Sequence, residues 1–228
     1  MNRWAVVFPL VAALGCSSLD EGEGGVVALE LRVPSPATLE VGETLQLSVR
    51  PLNKDGDSVA AAVTWLTPGD VVTVDPTGLV TGVSPGTGQV QARLGSLTSS
   101  LVSVGVLARA DTLIIVGDSI FTVPLGQSVS PPLVVRLESF LPAAPVEARP
   151  VIYAVVTPVQ EVPTRVQLAG GVLVDTLLTT ADGTIGTVTL ERVAGVTGPD
   201  SAVVEVRATR TRGAAVPGSG QRFIIRFE

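Results

Sequence analysis

The sequence predicts an all-β protein built as two tandem β-sandwiches. Three observations carry that expectation. Valine and threonine recur along the chain, and β-branched side chains suit a pleated surface better than a helix, where they crowd the preceding turn. The 24 glycines and 17 prolines interrupt the chain so often that no long apolar stripe of period 3.6 survives. Between those breaks apolar and polar residues alternate with period 2, as half-buried strands require.

In chain order the first element is a leader, residues 1–15. Arg3 is followed by an apolar run from Trp4 to Leu14 and then by Ala13-Leu14-Gly15-Cys16-Ser17-Ser18. A cation, an apolar core of about 7–15 residues and small residues at the cut describe a secretory signal. The run is too short for the roughly 20 apolar residues that cross a bilayer. Small residues ending on a cysteine resemble the lipobox of bacterial lipoproteins. The resemblance implies cleavage before Cys16, lipidation of its thiol and export to a membrane, and Ser17 in place of aspartate implies the outer membrane or cell surface. An ordinary signal peptide with a chance cysteine is the alternative. Residues 16–25, with Asp20, Glu21, Glu23 and several glycines, read as a flexible tether whose carboxylates face solvent.

The first folded segment is expected over residues 26–108. Strands are predicted at 27–33, 44–50, 63–66, 72–75, 79–81, 90–94 and 101–104. Each is bounded by a turn signal: Pro34-Ser35-Pro36, Asn53-Lys54-Asp55-Gly56-Asp57, Thr67-Pro68-Gly69-Asp70, Asp75-Pro76-Thr77-Gly78 or Gly95-Ser96. Short strands at this spacing make a sandwich. The stretches Leu39 to Leu47, Val63-Thr64-Trp65 and Val74 to Thr87 resemble the bacterial immunoglobulin-like group 2 domain, in the family's order and over the whole segment. On this reading Trp65 lies on a central strand and fills the space between sheets, its alternative being a stacking platform for carbohydrate. Gly78 and Gly82 serve tight turns.

The second segment, residues 109–228, has predicted strands at 112–116, 133–137, 151–156, 172–178, 185–190, 202–208 and 223–227. Val123 to Gln127, Pro132 to Arg136 and the hairpin Thr179 to Gly186 are similar to invasin-type (group 1) bacterial immunoglobulin-like domains. The resemblance implies a second sandwich of the immunoglobulin-like kind.

Composition narrows the chemistry. The net charge is −6, and no basic cluster offers a footprint for a phosphate backbone, so nucleic acid is not an expected partner. The chain has no histidine, which removes the commonest general base and transition-metal ligand. Cys16 is the lone cysteine, so no internal disulfide forms. Gly117-Asp118-Ser119 resembles the nucleophile block of GDS(L) esterases, but serine is a weak nucleophile without an adjacent base, and a Ser119 hydrolase is the remote reading. Asn53 to Asp57 places oxygens at alternate positions like part of a calcium loop, yet it lacks the closing glutamate and carries Lys54, so a turn is expected. Asp70, Asp75, Asp182 and Asp200 are read as turn formers. Arg207, Arg210, Arg212, Arg222 and Arg226 are read as a solvated edge that discourages strand-to-strand aggregation.

The expected function is therefore that of a non-catalytic envelope lipoprotein with no cofactor, a surface spacer or an adhesion and recognition module. Its expected partners are the membrane, through the lipid, and a surface protein or glycan. A carbohydrate- or envelope-polymer-binding protein of the same fold is the alternative, and it needs exposed aromatics on one sheet face. Tyr153, Phe121, Phe140 and Phe223 are the candidates.

Overall fold

The computed structural model describes residues 25–159, 164–195 and 199–228. Among these the regular elements are all strands. The first sandwich contains β1 (Ala28–Arg32), β2 (Thr38–Glu40), β3 (Thr44–Gln46), β4 (Ser48–Leu52), β5 (Thr64–Leu66), β6 (Val72–Val74), β7 (Leu79–Gly82), β8 (Gly86–Leu94), β9 (Leu97–Thr98) and β10 (Val102–Leu107). One layer runs β2-β10-β8-β5, with β9 folded back on β8. The other consists of the β1-β4 pair and the β3-β7-β6 sheet. The alternation seen in the sequence sets the burial. Along β8, Gly88, Val90, Ala92 and Leu94 point inward while the residues between them face outward or lie half-buried. Leu39, Leu45, Leu47, Val72, Val80, Val90, Val104 and Val106 close the space between the layers.

The second sandwich contains β11 (Thr112–Ile115), β12 (Ile120–Val123), β13 (Val135–Phe140), β14 (Ala143–Pro145), β15 (Pro150–Thr157), β16 (Val166–Leu168), β17 (Val174–Leu178), β18 (Thr184–Ile185), β19 (Leu190–Arg192), β20 (Ser201–Ala208) and β21 (Gln221–Phe227). Its larger sheet runs β12-β21-β20-β15-β17. Facing it are β11-β13-β14, with β18 against β13, and the β16-β19 pair. No sheet takes strands from both sides of the connection between β10 and β11. The core of this half is larger and includes Leu113, Leu137, Tyr153, Val204, Phe223 and Ile225.

Three expectations about strands are corrected. The predicted strand 44–50 is broken at Leu47: β3 pairs with β7 and β4 with β1, while the Leu47 N–H donates to the Gly78 carbonyl at 2.9 Å. The predicted strand 185–190 is likewise two pieces, because the chain leaves β13 after Ile185 and joins β16 at Leu190. Trp65 is not on a central strand. β5 pairs only with β8 and forms the edge of its sheet.

The core of the second sandwich holds one polar aromatic. Tyr153 is completely buried, and its hydroxyl donates to the Leu133 carbonyl at 3.1 Å. Burial pushes the phenol well above its ordinary range. Tyr153→Phe keeps the ring and removes the one bond, so a stability loss of about 1–2 kcal/mol is expected in urea unfolding. An unchanged midpoint would show that the hydroxyl contributes nothing net.

Candidate functional site

The most highly organised polar cluster among the described residues lies where the two sandwiches meet. It follows from one alternation. In Leu39-Glu40 the leucine faces the first core, so Glu40, the last residue of β2, turns the other way, toward the second sandwich. Glu40 is nevertheless 0% exposed. A buried carboxylate has to be paired and hydrogen-bonded, and the second half of the chain supplies the partners. Arg149, just before β15, places Nη2 2.8 Å from Glu40 Oε1 and donates to the Ala108 carbonyl at 2.9 Å. The Thr211 N–H donates to Oε1 and the Ala110 N–H to Oε2, each at 3.2 Å. Arg210 Nε lies 3.9 Å from Oε2 and donates to the Ala110 carbonyl at 3.0 Å.

A second ring of contacts surrounds this pair. Glu43 Oε2 accepts from the Glu40 N–H at 2.9 Å and from the Thr211 hydroxyl at 2.6 Å. Asp111 Oδ1 faces Arg109 Nε at 2.8 Å and Arg210 Nη2 at 3.6 Å, and its Oδ2 takes the Phe140 N–H at 2.8 Å. Glu40, Glu43 and Asp111 thus meet Arg149, Arg210, Arg109, the Thr211 hydroxyl and backbone amides. With these acids engaged on every side, the cluster is built to hold two bodies together.

The residues singled out from the sequence fall elsewhere. Cys16 lies outside the described residues. Ser119 sits at the corner between β11 and β12, where its carbonyl accepts the Ile224 N–H at 2.8 Å, and the corner carries the chain from one sheet to the other. Asn53 Oδ1 accepts from the N–H groups of Asp55 and Asp57 at 3.0 and 2.8 Å, which occupies that oxygen in the turn. Asp75 Oδ1 likewise receives the Thr77 N–H, the Thr77 hydroxyl and the Leu79 N–H. The hydroxyls of Thr180 and Thr184 hold the Asp182 carboxyl down at about 2.

The arginines do not form an edge. β20 and β21 are interior strands of their sheet. Arg207 and Arg222 stand on its outer face and converge on the nearly buried Glu205, with Arg222 Nη2 at 2.9 Å. The Arg222 and Arg207 guanidiniums hold the Glu205 carboxyl below the usual carboxylate range. Arg210 turns into the junction instead.

The aromatic set expected for a carbohydrate surface is also dispersed. Tyr153 and Phe223 are fully buried, and Phe121 is half-buried with its ring 6.2 Å from Phe223. Phe140 is the exposed member, so these four make no platform. Alternation of polarity along a strand signals neither the burial of Glu40 nor the surroundings of Trp65. The Trp65 indole is half-buried and packs on both clusters of the first core. A Cβ on Gly78 would stand 2.7 Å from Cζ2 of the ring and 2.8 Å from the Leu47 carbonyl oxygen, at φ +86°. Only glycine lets the indole settle there.

Residues 32–103 match the family model of the bacterial Ig-like domain (group 2). The chain is similar to the Yersinia pseudotuberculosis adhesin InvE at 15% identity and a TM-score of 0.42, over 91% of this chain and 61% of the adhesin. It is similar to domains 4 and 5 of the S-layer protein SbsC at 18% identity and a TM-score of 0.32, over 89% of this chain and 98% of that one. A third similar structure is the D00-D0 domain of intimin, at 14% identity and a TM-score of 0.31, over 86% of this chain and 98% of that one. No curated protein matches the chain.

Proposed function

We propose that the chain is a non-catalytic envelope lipoprotein, an exported spacer that carries two immunoglobulin-like sandwiches at the cell surface for adhesion or recognition. The observation that supports this most is the junction around Glu40. A module that presents a surface at a distance has to keep its domains in one relation, and a buried, saturated ion pair does so where a glycine- or serine-rich linker would not. Cys16 at the end of the leader supplies the membrane attachment through acylation of its thiol. The absence of histidine from the whole chain leaves Ser119 without the base that an esterase of that type uses. The partner is a surface protein or glycan.

The test is metabolic labelling with a palmitate analogue followed by fractionation of the expressing bacterium. Label is expected on the wild-type chain, which is recovered with the membranes. Cys16→Ser is expected to be unlabelled and released. An unlabelled wild-type chain, or one found in the cytoplasm, would overturn the anchoring.

A further inference from the structure

We infer that the two grooves meeting at Trp65 form a binding site for a neutral saccharide chain. On the edge strand β5, space opens beside the half-buried indole. One groove, of about 260 Å³, is bounded by Val63, Thr64, Val74, Asp75 and Pro76. The other, of about 560 Å³, runs past Gln46, Ser48, Val49, Ala61 and Thr77. Trp65, Val63 and Pro76 line both.

The ring is fixed in advance. Gly78 packs against its edge, and the Leu47 backbone that borders the larger groove is tied to the Gly78 carbonyl. A rigid aromatic surface at a groove costs little to order on binding. Its rim is polar in a particular way. The Gln46 amide nitrogen donates to the carbonyls of Leu47 and Thr77, both at 2.8 Å, which holds the amide in place and directs its oxygen away from those carbonyls. Ser48 and Thr64 are exposed beside the two grooves. Asp75 uses Oδ1 in its own turn, and its hydrogen bond from Thr77 keeps the carboxyl ionised below the ordinary carboxylate range.

This lining selects a chemistry. Among the described residues neither groove is lined by a lysine or arginine. Arg32, opposite Ser48 in the strand register, is held by Glu30, and Arg93, opposite Thr64, donates to the Gly95 carbonyl, while Asp75 lines the smaller groove, so the lining disfavours a phosphate or sulfate ester. An apolar ligand would leave the hydroxyls and the amide facing it unpaired. A pyranose has an apolar face for the indole and equatorial hydroxyls for Gln46, Ser48 and Asp75. Two grooves that share Val63, Trp65 and Pro76 suit a chain of such units better than a single sugar.

The test uses the full chain carrying Trp4→Phe, which leaves Trp65 as the sole indole of the two in the sequence. Its fluorescence is titrated with cellohexaose, with chitohexaose and, as the charged control, with a heparin hexasaccharide. A saturable change with a neutral oligosaccharide and none with heparin is expected. Ser48→Gln and Ala62→Gln, at exposed positions on the larger groove, add bulk without setting a second cation opposite Arg32 and are expected to weaken binding at least tenfold with an unchanged melting curve. Silence toward both neutral probes, an equal response to heparin, or a response that survives both substitutions overturns the site.

Discussion

Glu40→Ala is expected to cost about 3–5 kcal/mol, the range for removing one partner of a buried ion pair. The loss comes from what is left behind. Arg149, whose side chain is only 8% exposed, keeps its charge and loses the carboxylate 2.8 Å away. The N–H groups of Ala110 and Thr211 lose their acceptor as well. In guanidinium unfolding, the substitution should lower the midpoint and separate the transitions of the two sandwiches. Glu40→Leu combined with Arg149→Met should recover most of the loss, because an apolar pair of similar volume leaves no orphaned charge. A deficit below about 1 kcal/mol for Glu40→Ala would mean that the carboxylate is solvated and the junction open. The surface pairs of Glu30 with Arg32 and Arg50 offer an internal contrast, since exposed ion pairs of this kind are worth at most about 1 kcal/mol and fade with salt.

Gly218→Ala is expected to destabilise the second sandwich by about 4 kcal/mol, combining about 2 from a left-handed backbone and about 2 from overpacking. Gly218 has φ +89°, and a Cβ there would lie 2.1 Å from the Leu113 carbonyl oxygen, a backbone atom that cannot swing aside. The effect should extend beyond local strain. The turn between β20 and β21 is pinned to β11, with the Leu113 N–H donating to the Pro217 carbonyl at 2.8 Å and Gln221 Nε2 donating to Leu113 at 2.9 Å. The same turn carries Arg210 and Thr211 into the junction. Gly218→Ala should therefore lower the thermal midpoint and also raise amide exchange at Ala110 and Thr211. A midpoint shift with unaltered exchange there would show that the turn and the junction are independent.

Much of the fold is legible in the sequence because it obeys a local rule. Strands such as β11, β15, β20 and β21 alternate strongly enough, or are long enough, for period 2 to locate them within a residue or two. The strands that escape this rule are short and take their pairing from distant residues. β12 reads Ile-Phe-Thr-Val, with no alternation in polarity, directly after a Gly-Asp-Ser corner, yet it pairs with β21 about a hundred residues later. β2 is hidden in a stretch whose resemblance points to the strand that follows. Glu40 is invisible for a related reason. An acid between Leu39 and Val41 looks like any residue on a wet strand face, and what buries it are groups 70 to 171 positions away. The edge position of β5, and with it the partial exposure of Trp65, depends on the absence of a further neighbour, which no local pattern records. Arg207 and Arg222 are legible as outward-facing, but whether that face belongs to an edge or an interior strand is settled by the sheet order alone, and the inward turn of Arg210 is set by the junction.

Both sandwiches share one arrangement of hydrogen bonds. An early strand lies parallel to the final strand, β2 along β10 and β12 along β21. Tension drawing such a pair apart through the start of the early strand and the end of the final one acts along the strands and strains all the bridging hydrogen bonds at once. An antiparallel pair pulled from one end would open bond by bond. The register of Ile120 to Val123 against Ile224 to Phe227 sets this pair in shear under such a load, a resistance that thermal stability does not measure, while β11, which precedes it, is held to β13 in antiparallel register.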